Sequence, residues 1–227
     1  MAKKDKKARS RQPYVALLVV FGPALILVLI SVGFCKHNFK ELPVFGKLDS
    51  YEFTKPNGEK ITDKTQEGKI TLFTTIQTTC PQKCAINIPK FNLVLYEDYR
   101  KNQKKLGNVD IISIVTDENG NPVEDMDELM YTLDDIILDF DPSIWNIVSG
   151  DPKQVYDIES NGVNLYTTTS DSAFAGKSFL EIMLIVDKKN QLRLVRRGAE
   201  EGHIRDFKNH VSLLIKEYNK EKAKKNE

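Results

Sequence analysis
Apolar positions along this chain recur with two periods, and each change of period marks an element. Ile70-Thr71-Leu72-Phe73-Thr74-Thr75-Ile76 is a β-branched and aromatic run that predicts a buried or half-buried strand ending at Gln77-Thr78-Thr79. Cys84, Ile88, Phe91, Leu95 and Tyr99 then keep helical spacing, which predicts a helix starting near Pro81, burying that stripe and kinked at Pro89. Val109–Val115 predicts a second strand, and the acidic stretch from about Asp125 to Phe140 a helix packed through Leu129, Leu133, Ile136, Ile137 and Phe140. Ile144–Val148 predicts a third strand ended by Gly150, after which Asp151 caps a short helix with Pro152 at its first position. Ile182–Val186 and Leu192–Val195 predict a hairpin around Asp187-Lys188-Lys189-Asn190, followed by a closing helix from about Glu200 to Lys222. Upstream, Tyr51–Thr54 and Lys60–Thr62 flank the turn Pro56-Asn57-Gly58, a short hairpin that introduces the domain.

The resulting order is β-α-β-α-β-α-β-β-α. Helical crossovers require parallel pairing and the final hairpin an antiparallel edge, so the expected class is α/β, a thioredoxin-like mixed sheet flanked by helices. A different pattern precedes it. No charged residue occurs from Tyr14 to Cys35, and Val15–Val32 is dominated by Val, Leu, Ile and Ala, long enough to cross a hydrocarbon core of about 30 Å. Pro23 is tolerable in such a helix, and the basic residues ahead of it predict a cytoplasmic N-terminus with everything after Lys36 outside the cytoplasm, on the periplasmic side. A cleaved signal peptide shares the basic-then-apolar order, but the run is long for one and no small-residue cleavage site follows. The expected organisation is a basic segment 1–13, a transmembrane helix 14–35, a linker 36–48, a thioredoxin-like domain 49–220 and a charged tail 221–227, with the Lys-rich end from Lys216 to Lys225 frayed and solvated.

Composition adds a bound rather than an identity: 227 residues with 41% apolar and 29% charged content describe an ordinary globular chain. The net charge of +1 hides an asymmetry, because residues 1–12 hold six basic residues against Asp5, leaving 27 basic and 31 acidic residues for the remainder. That balance of −4 gives no general basic face for nucleic acid. No Gly-rich phosphate loop follows a strand, no paired Cys-x-x-Cys or His-x-x-x-His spacing occurs, and no Gly-x-Ser-x-Gly elbow is present. The acidic run Glu124–Asp141 opposite an apolar stripe reads as a solvated helix face.

The chemistry concentrates in Cys80-Pro81-Gln82-Lys83-Cys84, at the passage from strand to helix. Pro81 suits a first helical position, so Cys80 is expected at the cap, where free N–H groups and the helix dipole stabilise a thiolate and lower its pKa. Cys84 lies four residues on, on the same face, close enough to share a disulfide or a soft ion such as Cu(I). The alternative is a pair of buried, inert cysteines. Cys35, preceded by Phe34 rather than a small residue, lacks the context of a lipid-modified cysteine and is read as a bystander. His203 and His210, seven apart on the closing helix, read as solvated positions, and Met126, Met130 and Met183 as packing residues.

Thr79–Cys84 after an apolar strand, Trp145 in a strand leading to Gly150, and Leu184-Ile185-Val186-Asp187 before a hairpin resemble the SCO/SenC family over roughly Ser50 to Tyr218. The resemblance implies a membrane-tethered thioredoxin-fold protein that binds copper through the two motif cysteines, here Cys80 and Cys84, and a distant histidine. It also implies a role in assembling the copper centre of cytochrome c oxidase, with an oxidase subunit or another thiol or copper protein as partner. The histidine's place, about eight residues ahead of Asp187, falls at Phe179. Gln82 stands where an acidic residue is common, and Asp117-Glu118 where Asp-Pro is usual. Two thiolates alone still suit Cu(I), with less geometric control. A thiol–disulfide oxidoreductase in which Cys80 attacks and Cys84 resolves, and a docking protein with a structural disulfide, remain as alternatives.

Overall fold
The computed structural model describes residues 21–28, 42–79, 86–106, 108–160, 163–166 and 177–225. Residues 1–40 and 41–227 divide into two units. Of the first, residues 21–28 form a helix, α1, with Phe21, Leu25, Ile26, Leu27 and Val28 exposed. No helix among the described residues is long and apolar enough to cross a membrane; the rest of the expected span, with Cys35 and His37, lies outside them.

The second unit is built on a six-stranded mixed sheet in the order β1-β10-β9-β4-β5-β6. β4 (Ile70–Gln77), β5 (Val109–Thr116) and β6 (Trp145–Val148) run parallel, with Ile70 opposite Val109 and Gln77 opposite Thr116. β9 (Ile182–Val186) lies antiparallel against β4, β10 (Gln191–Arg197) antiparallel against β9 with a bulge between Leu192 and Leu194, and the two-residue β1 (Gly46–Lys47) closes onto β10. β4 is buried along its whole length, as its continuous apolar and β-branched run requires. Alternation along it sends Leu72, Thr74 and Ile76 to one face and Phe73, Thr75 and Gln77 to the other.

On the first face Thr74 Oγ1 lies 2.5 Å from Ser113 Oγ, which also accepts Trp145 Nε1–H at 2.7 Å. Trp145 packs on Phe91 and Tyr96 with ring centroids at 4.8 and 5.3 Å. These rings come from α2 (Ile88–Phe91) and the π-turn Asn92–Tyr96 that joins it to α3 (Glu97–Lys101) and, beyond Asn102, α4 (Gln103–Leu106). α7 (Glu201–Lys225) lies beside them and buries Ile204, Phe207, Val211 and Leu214. On the second face Phe73 meets Tyr51 and Phe53 from the β2 (Glu52–Thr54) and β3 (Lys60–Thr62) hairpin.

The predicted elements are present with four corrections. Pro89 does not kink a helix: α2 starts at Ile88, capped by the Asn87 side chain, so Pro89 sits in the first turn where its missing N–H costs nothing. The helix therefore does not continue back through Asn87 and Ile86, and the expected start near Pro81 lies outside the described residues; Phe91, Leu95 and Tyr99 are buried as the spacing predicts. α5 (Asp127–Ile136) stops short of Phe140; Ile137 turns extended and Asp139 takes φ +53°, leaving Ile136 half exposed. The tail is not frayed up to Lys225, because α7 continues that far. Residues 42–48 are not linker: Arg193 donates to the carbonyls of Leu42 and Pro43, Phe45 N–H to Leu192, and Leu48 N–H to Asn190.

The same corner holds a buried ion triad. Arg193 pairs with Asp187 Oδ2 and Glu217 Oε1, both at 2.8 Å, with the side chains of Arg193 and Asp187 5% and 0% exposed. Burial opposes the guanidinium charge, but Glu217 and Asp187 outweigh it and hold the Arg193 pKa above its ordinary value. Asp187 also accepts N–H from Lys189 and Gln191, closing the hairpin turn at Asn190, whose φ is +60°.

Tyr51, Tyr99, Tyr156 and Tyr218 are each pushed above the ordinary tyrosine range, first by burial. A raised folded-state pKa means that the fold holds the neutral phenol. That stability is intact below the unfolded value of about 10 and is lost as pH rises beyond it. Beyond the share from exposed Tyr131, tyrosinate absorbance is expected to appear cooperatively with loss of far-ultraviolet ellipticity above about pH 10; smooth ionisation of all the tyrosines with the fold intact would contradict the burial.

Candidate functional site
The C-terminal end of β4 leads directly into the Cys80–Cys84 segment. Thr78 N–H donates to the Thr116 carbonyl, fixing the strand's exit against β5, and on the far side of the segment Asn87 N–H donates to Gly198 before α2 begins. Cys80 and Cys84 themselves lie outside the described residues. Around this end of the sheet stand Gln77, the loop Asp117–Asn121 and the turn Lys177–Leu180.

Each of these is held by its own chemistry. Gln77 Nε2 donates to the Glu118 carbonyl at 3.4 Å, while Gln77 Oε1 and Thr116 Oγ1 are buried without a hydrogen-bond partner. Asp117 accepts from Asn119 N, Asn121 N and Asn121 Nδ2 at 2.7–2.8 Å. Partial burial opposes its charge, but these donors and Lys177 prevail and hold the carboxyl below its usual range. Lys177 Nζ donates to the Asn119 carbonyl, tying the two loops together. Gly120, at φ +75°, is brought against the residue that matters most here: a Cβ on it would stand 2.7 Å from Phe179 Cζ.

Phe179 sits in a 3-10 turn (Ser178–Leu180) just before β9, at the same end of the sheet as Thr79. Its carbonyl accepts from Thr75 Oγ1 at 3.4 Å. Its ring is fully buried, stacked on Tyr166 at 4.8 Å and 9° and tilted against Tyr156 at 5.8 Å. The structure thus brings the expected ligand position beside the exit of β4 and fills it with an aromatic core residue that has no donor atom.

The other candidates do not replace it. Among the described residues no group of three His, Cys, Asp or Glu side chains is placed to hold a metal ion. His210 is not a solvated position: it is half buried, its Nδ1 2.8 Å from the Asp206 carbonyl and 3.2 Å from that residue's carboxylate. His203 is 40% exposed, 4.0 Å from Glu200, and its Nδ1 has no hydrogen-bond partner. Met183 is buried in β9, as packing predicts.

Three parallel strands extended by an antiparallel hairpin, with helices against the sheet and the dithiol segment joined to the end of β4, define a thioredoxin-like protein. The SCO1/SenC family pattern matches residues 46–205, and the chain belongs to that family. Among solved structures it is similar to a SCO1/SenC family lipoprotein from Bacillus anthracis str. Ames, at 15% identity and a TM-score of 0.53 over 76% of this chain and 96% of that one. A putative electron transport protein from Aquifex aeolicus VF5 has 12% identity and a TM-score of 0.53 over 76% and 98%. BsSco, a member of the Sco family of cytochrome c oxidase assembly proteins in which a disulfide switch is identified, has 14% identity and a TM-score of 0.50 over 78% and 96%. At these identities the likeness shows the fold. No curated protein matches the chain.

Proposed function
We propose that this protein is a membrane-tethered, extracytoplasmic SCO1/SenC protein whose Cys80/Cys84 pair works as a thiol–disulfide couple in the assembly of cytochrome c oxidase. The observation that carries the choice of thiol redox over a three-ligand copper site is Phe179, a stacked core residue where the family resemblance puts the histidine. The donor set that remains is two thiolates. It fits a linear Cu(I) ion but not a site that needs a third protein ligand. The charge-free run Tyr14–Cys35 behind six basic residues supports the tether and its orientation.

In the exchange, the Cys80 thiolate attacks a partner disulfide; the partner's S–S bond breaks, a mixed disulfide forms and one partner thiolate leaves. Cys84 then attacks Cys80, releasing the second partner thiolate and leaving Cys80–Cys84 oxidised, so two electrons pass to the partner. A partner whose copper-ligating cysteines must be reduced before metal entry is the substrate class this serves, with an upstream dithiol restoring the pair.

The test is the reduction potential of the purified full chain together with an anaerobic Cu(I) titration against a competing chelator. A potential between about −180 and −270 mV is expected, with exchange lost at least about 100-fold in Cys80→Ser. A value below about −300 mV, typical of structural disulfides, would overturn the redox reading. A Cu(I) ion held stoichiometrically and released in Cys80→Ser would transfer the assignment to two-coordinate copper carriage. For topology, protease added to spheroplasts is expected to remove a C-terminal tag, and full protection would reject it.

A further inference from the structure
α5 covers the sheet poorly for its composition. It buries one side chain, Leu133, and leaves Tyr131 78% and Ile136 50% exposed. In the turn that follows, Ile137 is buried and Leu138 is 81% exposed. This outward Leu138 is held in place: the next residue, Asp139, takes the left-handed conformation, its carbonyl accepts from Tyr96 O–H, and its carboxylate pairs with Arg100 at 3.0 Å. Three large apolar side chains therefore stand in water on a fixed scaffold, where chain mobility does not excuse them.

The charges around them state what can cover them. Between Val123 and Pro152 there is no Lys, Arg or His, while Glu124, Asp127, Glu128, Asp134 and Asp135 are exposed. Among the described residues only Asp139 of the carboxylates from Glu124 to Asp141 is ion-paired. An anionic membrane surface is repelled by such a face, and a neutral apolar one gains nothing from it.

We propose that α5 and the turn Ile137–Asp141 form a docking face for a protein partner whose contact surface is cationic around an apolar centre. Steering would come from the carboxylates and residence from Tyr131, Ile136 and Leu138. α5 departs from the C-terminal end of β5, where Val123 N–H donates back to Val115, and the turn that follows it leads into the start of β6 at the opposite end of the sheet. The inference stands whether that dithiol exchanges disulfides or carries copper.

The test uses the full chain in an uncharged detergent and two fluorescent helical peptides of equal charge, one of lysine and leucine, the other of lysine and serine. Anisotropy is expected to show the leucine peptide binding at least about tenfold more tightly. Tyr131→Ser with Leu138→Ser should erase that preference, and Asp134→Asn with Asp135→Asn should weaken both peptides and flatten the salt dependence. All four positions are exposed, so unchanged ellipticity is expected and is checked in each variant. Equal affinity for the two peptides, an unaltered preference in the Tyr131/Leu138 variant, or binding of the chain to anionic vesicles lost in that variant would each overturn the proposal.

Discussion

Replacing Arg193 by Met is expected to lower the unfolding free energy by about 3–5 kcal/mol, because it leaves two carboxylates without their counter-charge. Asp187 is fully buried and Glu217 nearly so, and the guanidinium reaches both at 2.8 Å. It also donates to the Leu42 and Pro43 carbonyls, so removal strands two backbone acceptors as well. Arg193→Lys should recover only part of the loss, since one ammonium cannot copy a planar fork shared among four acceptors. Urea titration gives the free energy, and a second readout isolates the mechanism: amide exchange at Phe45 and Leu48 should accelerate in Arg193→Met more than at β4. A loss below about 1 kcal/mol would place the triad among pairs that merely break even.

Phe179→Ala should cost about 3–5 kcal/mol, the range for deleting a buried aromatic side chain. The ring is fully buried between Tyr156, Tyr166 and the Gly120 backbone, so little can collapse into the space. Gly120→Ala provides the complementary strain. Its left-handed φ costs about 1–2 kcal/mol for any L-residue, and the new methyl meets Phe179 Cζ. In the double variant Gly120→Ala/Phe179→Leu the contact is relieved while the backbone strain stays, giving a favourable coupling on the order of 1 kcal/mol in a double-mutant cycle. Strict additivity would mean that loop and turn do not touch in solution.

Which parts were readable from the chain follows from where each element finds its partners. β4, β5 and β9 are rich in apolar and β-branched residues because both faces are covered, and such runs announce themselves. Pro89 was misread because a proline near a helix start and one inside a helix look alike until the cap is located, and Asn87 decides it. β1 has no period to detect: Gly46 and Lys47 are strand only because Leu192 and Gln191 pair with them. The fixed segment before it looked like a polar linker because its anchor, Arg193, lies far along the chain, although a charge between Leu192 and Leu194 in a strand was a visible signal. At the site, the sequence located position 179 and the missing histidine; that the residue there is a stacking core element could come only from Tyr156, Tyr166 and Gly120 meeting it. The Glu159–Ser160 and Val163–Asn164 mini-hairpin was missed for want of any apolar run.

The position of β9 also sets an order of events. It lies between β4 and β10, so the centre of the sheet stays incomplete until the segment Ile182–Arg197 has emerged. Until then β4, buried along its whole length in the finished fold, offers an unpaired edge, with only β5 beside it. The last pairing at the centre of the sheet is therefore a long-range one made late in synthesis, and such pairings slow folding and prolong the exposure of strand edges.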